Sequence, residues 1–342
     1  MKTGILLINL GTPDAPRTPE VRRYLKQFLS DERVIDIHPL LRWLLLNLII
    51  LPIRSPKSAK VYASIWTEEG SPLLVHGKNL RSVLQERFGE TPVELAMRYG
   101  SPSIEHGMAS LRQHECDRVV VVPLFPQYAS SSSGSAIQAA YEEASRHWNT
   151  PHLTIVPPFF DHPGFLEAFH EVARPIFQEP PEYVLFSFHG VPERHVRKSD
   201  DTGCWCLTQP ECCSTLRAEN RNCYSAQCYR TAQQLAAKLE LPPEQWSVAL
   251  QSRLGRDPWL KPYTDQVIRE LAQSGTTRLA VFCPAFVADC LETIEEIGEE
   301  AQETFREAGG ETLHLIPSLN AHPAWVSGLE QIIRESLPAA KG

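Results

Sequence analysis

The chain has 342 residues, 42% hydrophobic and 22% charged, with a formal net charge of −8. That length provides for two domains of ordinary size with buried cores, and the composition leaves no room for a fibrous, low-complexity or solenoid architecture. An acidic balance argues against nucleic acid as the main partner, since phosphate binding needs a basic face.

Taken in chain order, MKTGILLINLGTPDAP carries one Lys and a short apolar run, Ile5 to Ile8, closed by a turn signal. The run is too short for a secretory signal and predicts a first strand. The expected compartment is therefore a reducing cytoplasm, where structural disulfides are rare. Residues 38–60, HPLLRWLLLNLIILPIRSPKSAK, hold an apolar core that includes Arg42 and ends at Pro52. It falls short of the ~20 residues needed to span a bilayer. Two readings stay open for it: a buried core helix, or an apolar lip facing a membrane or greasy substrate, with Arg54, Lys57 and Lys60 meeting lipid headgroups.

Short apolar runs ending in turn signals recur between helix-length patterns: GILLINLGTP, VELAMRYGSP, RVVVVPLFPQY, YVLFSFHGVP, SVALQSRLG, LAVFCPAF and TLHLIPSLN. Strands apolar throughout predict an α/β fold with parallel sheets covered on both faces. The expected layout is two similar Rossmann-like lobes, 1–126 plus about 319–340, and 127–318 with a Cys-rich insert at about 202–228. The last helix, from about Pro323 to Leu337, is expected to pack back on the first lobe.

Open α/β sheets bind ligands at the carboxyl ends of their strands. Leu10, Gly11 and Thr12, then Arg98 and Tyr99, then 126–134 (PQYASSSSG), His189 and Gly190, Ser252 and Arg253, and Pro284 all follow such strands. They are expected to line one cleft between the lobes. Gly70 and Gly77-Lys78-Asn79 lack phosphate-loop spacing, and no G-x-G-x-x-G follows a strand, so the reaction is expected to use neither ATP nor NAD.

His189, in FSFHGVP, can accept a proton near neutral pH or bind a metal, although a lone histidine there also reads as a satisfied core residue. Asp289, Glu292, Glu296, Glu299 and Glu303 follow at steps of 3, 4, 3 and 4. On one helix that spacing aligns five carboxylates, which reads either as a solvated face or as a cation path. Like charges at i,i+4 cost ~0.2–0.5 kcal/mol per pair, and no Lys or Arg intervenes. Carboxylates with one imidazole hold Fe²⁺ exchangeably, as delivery requires.

Six ordered motifs, NLGTP, RYGSPSIE, PLFPQYASSSSGSA, FSFHGVPER, QSRLGRDPWLKPYTD and CPAFVADCLETIEEI, together resemble the ferrochelatase family, from about Gly4 to Ile333. The resemblance implies a chelatase fold and insertion of Fe²⁺ into protoporphyrin IX, the last step of haem b synthesis. It implies that His189 accepts pyrrole protons or binds iron, with Glu292 facing it and Asp289 and Glu296 on the metal path. Arg98, Tyr99, Ser130 and Trp259 match porphyrin-pocket positions, and 38–60 matches an apolar lip at the pocket mouth, which favours peripheral contact with the inner membrane surface. Leu10 stands where relatives acting on coproporphyrin carry Tyr, which favours protoporphyrin. Cys290 replaces an animal-type His and reads as an apolar filler or a changed outer metal site. A coproporphyrin ferrochelatase, a cobalt chelatase of the same fold and a non-catalytic tetrapyrrole-binding protein are the alternatives.

CWCLTQPECC (204–213), with Cys223 and Cys228, puts six of nine cysteines in a C-x-C-x5-C-C-x9-C-x4-C pattern. This matches neither zinc ribbons nor ferredoxin runs. Some members of the resembled family carry a [2Fe–2S] cluster in an internal cysteine-rich segment, which implies one here; a Cys₄ zinc site and disulfides or free thiols compete. Ser130 stands where animal-type members place a cysteine ligand. Four ligands are expected from Cys204, Cys206, Cys212, Cys213, Cys223 and Cys228. Cys223 and Cys228 are expected to contribute, and Cys212 and Cys213 not both, since successive side chains diverge.

Overall fold

A computed structural model of the chain describes residues 1–209, 211–253, 255 and 257–337. Part of the QSRLGRDPW motif (Leu254, Arg256), Pro210 of the cysteine stretch and the last residues of the expected first lobe lie outside the described residues.

Among the described residues, eight strands form two sheets. The first contains β1 (Thr3–Thr12), β2 (Val93–Gly100), β3 (Arg118–Pro123) and β4 (His152–Ile155); the second contains β5 (Tyr183–His189), β6 (Trp246–Gln251), β7 (Arg278–Phe282) and β8 (Thr312–Leu315). Their orders, β2-β1-β3-β4 and β6-β5-β7-β8, repeat one topology, and every pairing is parallel. Helices cover both faces, so central strands are apolar without alternation: Ile5, Leu6, Leu7 and Ile8 are all fully buried. The expected α/β architecture of two similar halves is what the chain adopts.

One compact unit comprises 1–125, 129–157 and the stretch from Leu329; the other comprises 126–128 and 158–328. The sequence reading put the first boundary near residue 126, but the first unit takes in 129–157 as well. The reason is β4, which pairs with β3 at Val119↔Leu153 and so belongs to the first sheet. At the other end, the first unit regains the chain at Leu329, inside the helix Pro323–Ser336, rather than near 319. There Arg334 lies over the Phe88 ring at 4.8 Å, and Glu330 sits 3.9 Å from Arg87.

In each unit, register brings strand ends together. Gly11 (φ 118°) pairs with Tyr99, and a Cβ on Gly11 would come 1.8 Å from the Tyr99 carbonyl oxygen, so only glycine fits. In the second unit His189 pairs with Gln251.

Residues 38–60 form the helix Pro39–Leu44, a π turn Leu45–Ile50 and the start of the helix Leu51–Ile65. The helical run continues through Pro52, which occupies the first turn of the last segment. The buried-helix reading does not hold, because the segment presents an exposed apolar face. Leu41, Trp43, Leu48 and Ile53 are 58%, 55%, 66% and 57% exposed, while Leu46 and Leu51 anchor the inner face. No described helix is long and apolar enough to cross a membrane.

Candidate active site

His189 ends β5 and is half-buried. Its Nδ1 lies 2.7 Å from the Gly190 carbonyl oxygen. Nδ1–H therefore donates there, which leaves the Nε2 lone pair free for a proton or a metal. The His189 carbonyl in turn accepts from the Tyr224 hydroxyl at 2.8 Å, and the Gly190 N–H donates to the Gln251 carbonyl at 2.6 Å. A Cβ on Gly190 would meet the Ser252 and Gln251 carbonyl oxygens at 2.8 and 2.9 Å and the Trp259 ring at 3.2 Å. The Gly after His189 thus lets Trp259 and the end of β6 close on the histidine. The Phe286 ring meets the imidazole edge-on, centroids 6.2 Å apart.

The acidic row is divided. Instead of one regular helix, the segment runs as the helix Leu291–Ile294, a π turn Glu296–Ala301 and the helix Gln302–Glu307. Within it the Glu300 N–H bonds to the Glu295 carbonyl at 2.9 Å. The extra residue in that turn shifts the register, so the five acids do not share one face. Glu292 and Glu296 stay at the strand ends, whereas Glu299 and Glu303 are exposed to solvent.

Glu296 is the best-held member. The Ser252 N–H and hydroxyl donate to its two oxygens at 2.8 and 2.5 Å, and Gln251 Nε2 reaches it at 3.4 Å. Ser252 adopts a left-handed backbone (φ 58°), uncommon outside glycine and strained by ~1 kcal/mol, and both its donors serve Glu296. Burial, together with the charge of Glu292, pushes the Glu296 carboxyl above its ordinary range, against the Ser252 hydrogen bonds and the charge of His189. Gln251 also donates to the Glu292 carbonyl at 2.9 Å and accepts from Ser187 at 2.7 Å. Sequence reading passed over Gln251; its signal was a lone amide closing an apolar strand.

Asp289, expected on the metal path, is occupied. Its carboxylate accepts from Thr293 at 3.2 Å, the Ser318 N–H at 3.1 Å and Asn320 Nδ2 at 2.7 Å. Those bonds bracket the 316–320 loop. Cys290 is buried, its thiol hydrogen-bonds Glu292, and its sulfur caps the helix that follows. Glu295, absent from the expected row, is pushed up to about 7 by burial and by its i,i+5 neighbour Glu300. A cavity of about 210 Å³ leads along Gln251, Ser252, Glu296, Glu300 and Asp265.

In the first unit, Arg98 donates to Asp31 at 2.8 Å and to Ser135 at 2.6 Å. The Tyr99 hydroxyl also donates to Asp31 at 2.8 Å, from a ring only 3% exposed. Tyr99 is thus a buried support beneath Arg98. Burial pulls the Asp31 carboxyl up, but bonds from Ser135, the Arg33 backbone and Tyr99 and the charge of Arg98 hold it below its usual range. Asp31 caps the C-terminal end of Thr18–Ser30. An acid there opposes the helix dipole, the clue to a tertiary partner that sequence reading did not use. Ser130 accepts from Arg33 at 2.8 Å, and Leu10 is half-buried at the end of β1.

The cysteine segment is ordered by two polar brackets. Asp200 accepts from the N–H groups of Trp205 and Cys206, both at 2.8 Å, and Asn220 donates to the Cys212 and Thr215 carbonyls at 2.7 and 2.9 Å. The Cys212 and Cys213 sulfurs lie 3.4 Å apart and those of Cys213 and Cys223 4.0 Å apart; Cys206 hydrogen-bonds Cys223. The expectation that Cys212 and Cys213 diverge fails, because an irregular turn, unlike a helix or strand, allows neighbouring side chains to converge. Cys204 is exposed, and Cys228 is buried on the helix Tyr224–Lys238 with its thiol against Tyr224. All described cysteines are free thiols. Burial pushes Cys206 up to about 11, and Cys213 is pushed up by Cys223 and by burial. Thiols so crowded need a compensating cation if they are to ionise; they approach in pairs, and no three described cysteine sulfurs lie within 4.8 Å of one another.

A family model described as ferrochelatase matches residues 2–337. A ferrochelatase of Coxiella burnetii (strain Dugway 5J108-111) is 47% identical over 338 residues, 98% of this chain and 94% of the relative. One from Legionella pneumophila (strain Corby) is 44% identical over 338 residues, covering 98% of this chain and all of the relative. Among solved structures, SirB from Bacillus subtilis with Fe³⁺ superposes with a TM-score of 0.55 at 15% identity, over 98% of this chain and 96% of that one. The sirohydrochlorin chelatase SirB from B. subtilis subspecies spizizenii, in complex with cobalt, gives 0.55 at 13% identity, over 98% and 95%. These two likenesses show a common fold, and the sequence matches decide the family. Over nearly its whole length, the chain belongs to the ferrochelatase family.

Proposed function

We propose that this chain inserts Fe²⁺ into protoporphyrin IX to give haem b and two protons, the last step of haem synthesis. Family membership supports the reaction. The observation that carries the mechanism is a histidine with a free Nε2 beside a carboxylate held by Ser252 and Gln251. As iron enters, each of two pyrrole nitrogens loses its proton and forms a bond to the metal. His189 Nε2 takes a proton, and Glu296 and Glu292 balance the incoming dication and pass protons toward solvent. The elevated affinity of Glu296 for protons suits a relay better than a permanent metal ligand. A flat macrocycle hides its nitrogen lone pairs, so binding energy goes into buckling it. Arg98, Ser130 and Trp259 are assigned as porphyrin contacts by family resemblance. Leu10 supplies no phenol to reach a metal, which favours protoporphyrin over coproporphyrin. Replacing His189 by Ala tests this: porphyrin affinity is retained and iron insertion lost. Near-normal turnover would overturn the mechanism.

Cys206, Cys212, Cys213 and Cys223 are our choice of ligands for a [2Fe–2S] cluster, which when bound supplies a one-electron redox group. Anaerobically purified protein is then coloured, and replacing Cys223 by Ser abolishes the colour. A colourless chain with one zinc refutes the cluster. The apolar lip and its exposed Arg54, Lys57 and Lys60 support peripheral contact with an anionic membrane surface.

A further inference from the structure

We propose that Tyr224 is a positioning residue that couples the cysteine segment to His189; the proposal rests on the reading of His189 as the group that meets the pyrrole protons or the iron. The peptide joining His189 to Gly190 is pinned on both sides. Its carbonyl accepts from the Tyr224 hydroxyl at 2.8 Å, and its N–H donates to the Gln251 carbonyl at 2.6 Å. The His189 ring is then fixed to the next carbonyl, that of Gly190, at 2.7 Å. Rotation of this peptide swings the imidazole, and Tyr224 is the side chain that opposes it.

The far end of the same residue belongs to the cysteines. Tyr224 is the first residue of the helix Tyr224–Lys238, and Cys223, whose sulfur lies 4.0 Å from that of Cys213, occupies the N-cap. One turn on, the buried Cys228 thiol hydrogen-bonds the Tyr224 hydroxyl. Whatever draws Cys206, Cys212, Cys213 and Cys223 together therefore sets the position of the adjoining Tyr224 backbone, and with it the bond to His189. The coupling needs no electron transfer, only that occupancy of the thiols and the pose of the tyrosine are biased together.

The test compares wild-type chain and Tyr224→Phe, which keeps the buried ring and deletes the hydroxyl. Each is prepared as purified and after treatment with an iron and zinc chelator, with metal and sulfide content measured on every sample. The readouts are kcat and KM for porphyrin and the ¹H–¹³C resonance of His189 Cε1 in histidine-labelled protein. The expected result is about a tenfold fall in kcat with KM within about twofold, and a displaced His189 resonance. Stripping the wild type displaces that resonance in the same direction, while stripping Tyr224→Phe adds nothing. An unchanged resonance in Tyr224→Phe, or an equal stripping effect in both chains, overturns the proposal. Should the purified chain carry no metal on these thiols, the cluster reading fails by itself. Cys223→Ser then replaces stripping, and a resonance unmoved in that variant overturns the coupling.

Discussion

Replacing Ser252 by Ala isolates the hydroxyl bond that opposes the raised proton affinity of Glu296. The substitution deletes the 2.5 Å hydroxyl bond to one carboxylate oxygen and leaves the 2.8 Å backbone bond to the other. A hydrogen bond to a charged group contributes ~1.5–3 kcal/mol, and one pKa unit corresponds to ~1.4 kcal/mol. The Glu296 carboxyl, already raised by burial, therefore rises further when that bond is lost. The sign follows from which form the hydroxyl stabilises: without it the proton is held to higher pH, so the relay is blocked over a wider acid range. In a stopped-flow assay of porphyrin fluorescence loss on Fe²⁺ addition, the acid limb of kcat/KM moves to higher pH, and the high-pH plateau is retained. Relief of the strained Ser252 backbone does not occur with Ala, so stability supplies no compensating effect. An acid limb unmoved to within about 0.3 unit refutes the assignment of Glu296 as the relay.

Glu295 is pushed up to about 7 by burial and Glu300, so it binds a proton on folding between roughly pH 4.5 and 7. The folded state holds more protons there, and stability falls as pH rises through that window. Partial solvent contact limits the effect to about 1 kcal/mol. In urea melts from pH 5 to 8, Glu295→Gln removes this slope, and an unchanged slope contradicts the shared-proton pairing with Glu300. For the lip, Leu41→Asp with Leu48→Asp reduces co-sedimentation with phosphatidylglycerol-containing vesicles by tenfold or more, since each buried Leu contributes ~1.5–3 kcal/mol. Equal binding of variant and wild type rules out the lip as the membrane contact.

Much of this protein is legible without its fold because its strands are buried on both faces. Each therefore appears as a largely apolar run closed by a turn signal, as at YVLFSFHG. Asp31 and Gln251 were not legible, since their importance lies in partners 67 and 41 positions away, Arg98 and Glu292. The acidic row misled because a 3,4 spacing assumes 3.6 residues per turn. The π turn adds a residue, sends Glu299 and Glu303 to solvent and pairs Glu295 with Glu300. Asp289 shows the same limit, for nothing local reveals that Ser318 and Asn320 occupy its carboxylate.

The amino-acid sequence alone determined the strand pattern and the family, because burial periodicity and ordered motifs are local properties of a chain. Only the tertiary structure decided which carboxylate is held at the histidine and which thiols converge. It also decided that 38–60 presents an apolar face rather than a core helix. Those outcomes depend on backbone turns and on partners distant in sequence, where one extra residue in a helix or one buried acceptor reverses what spacing predicts.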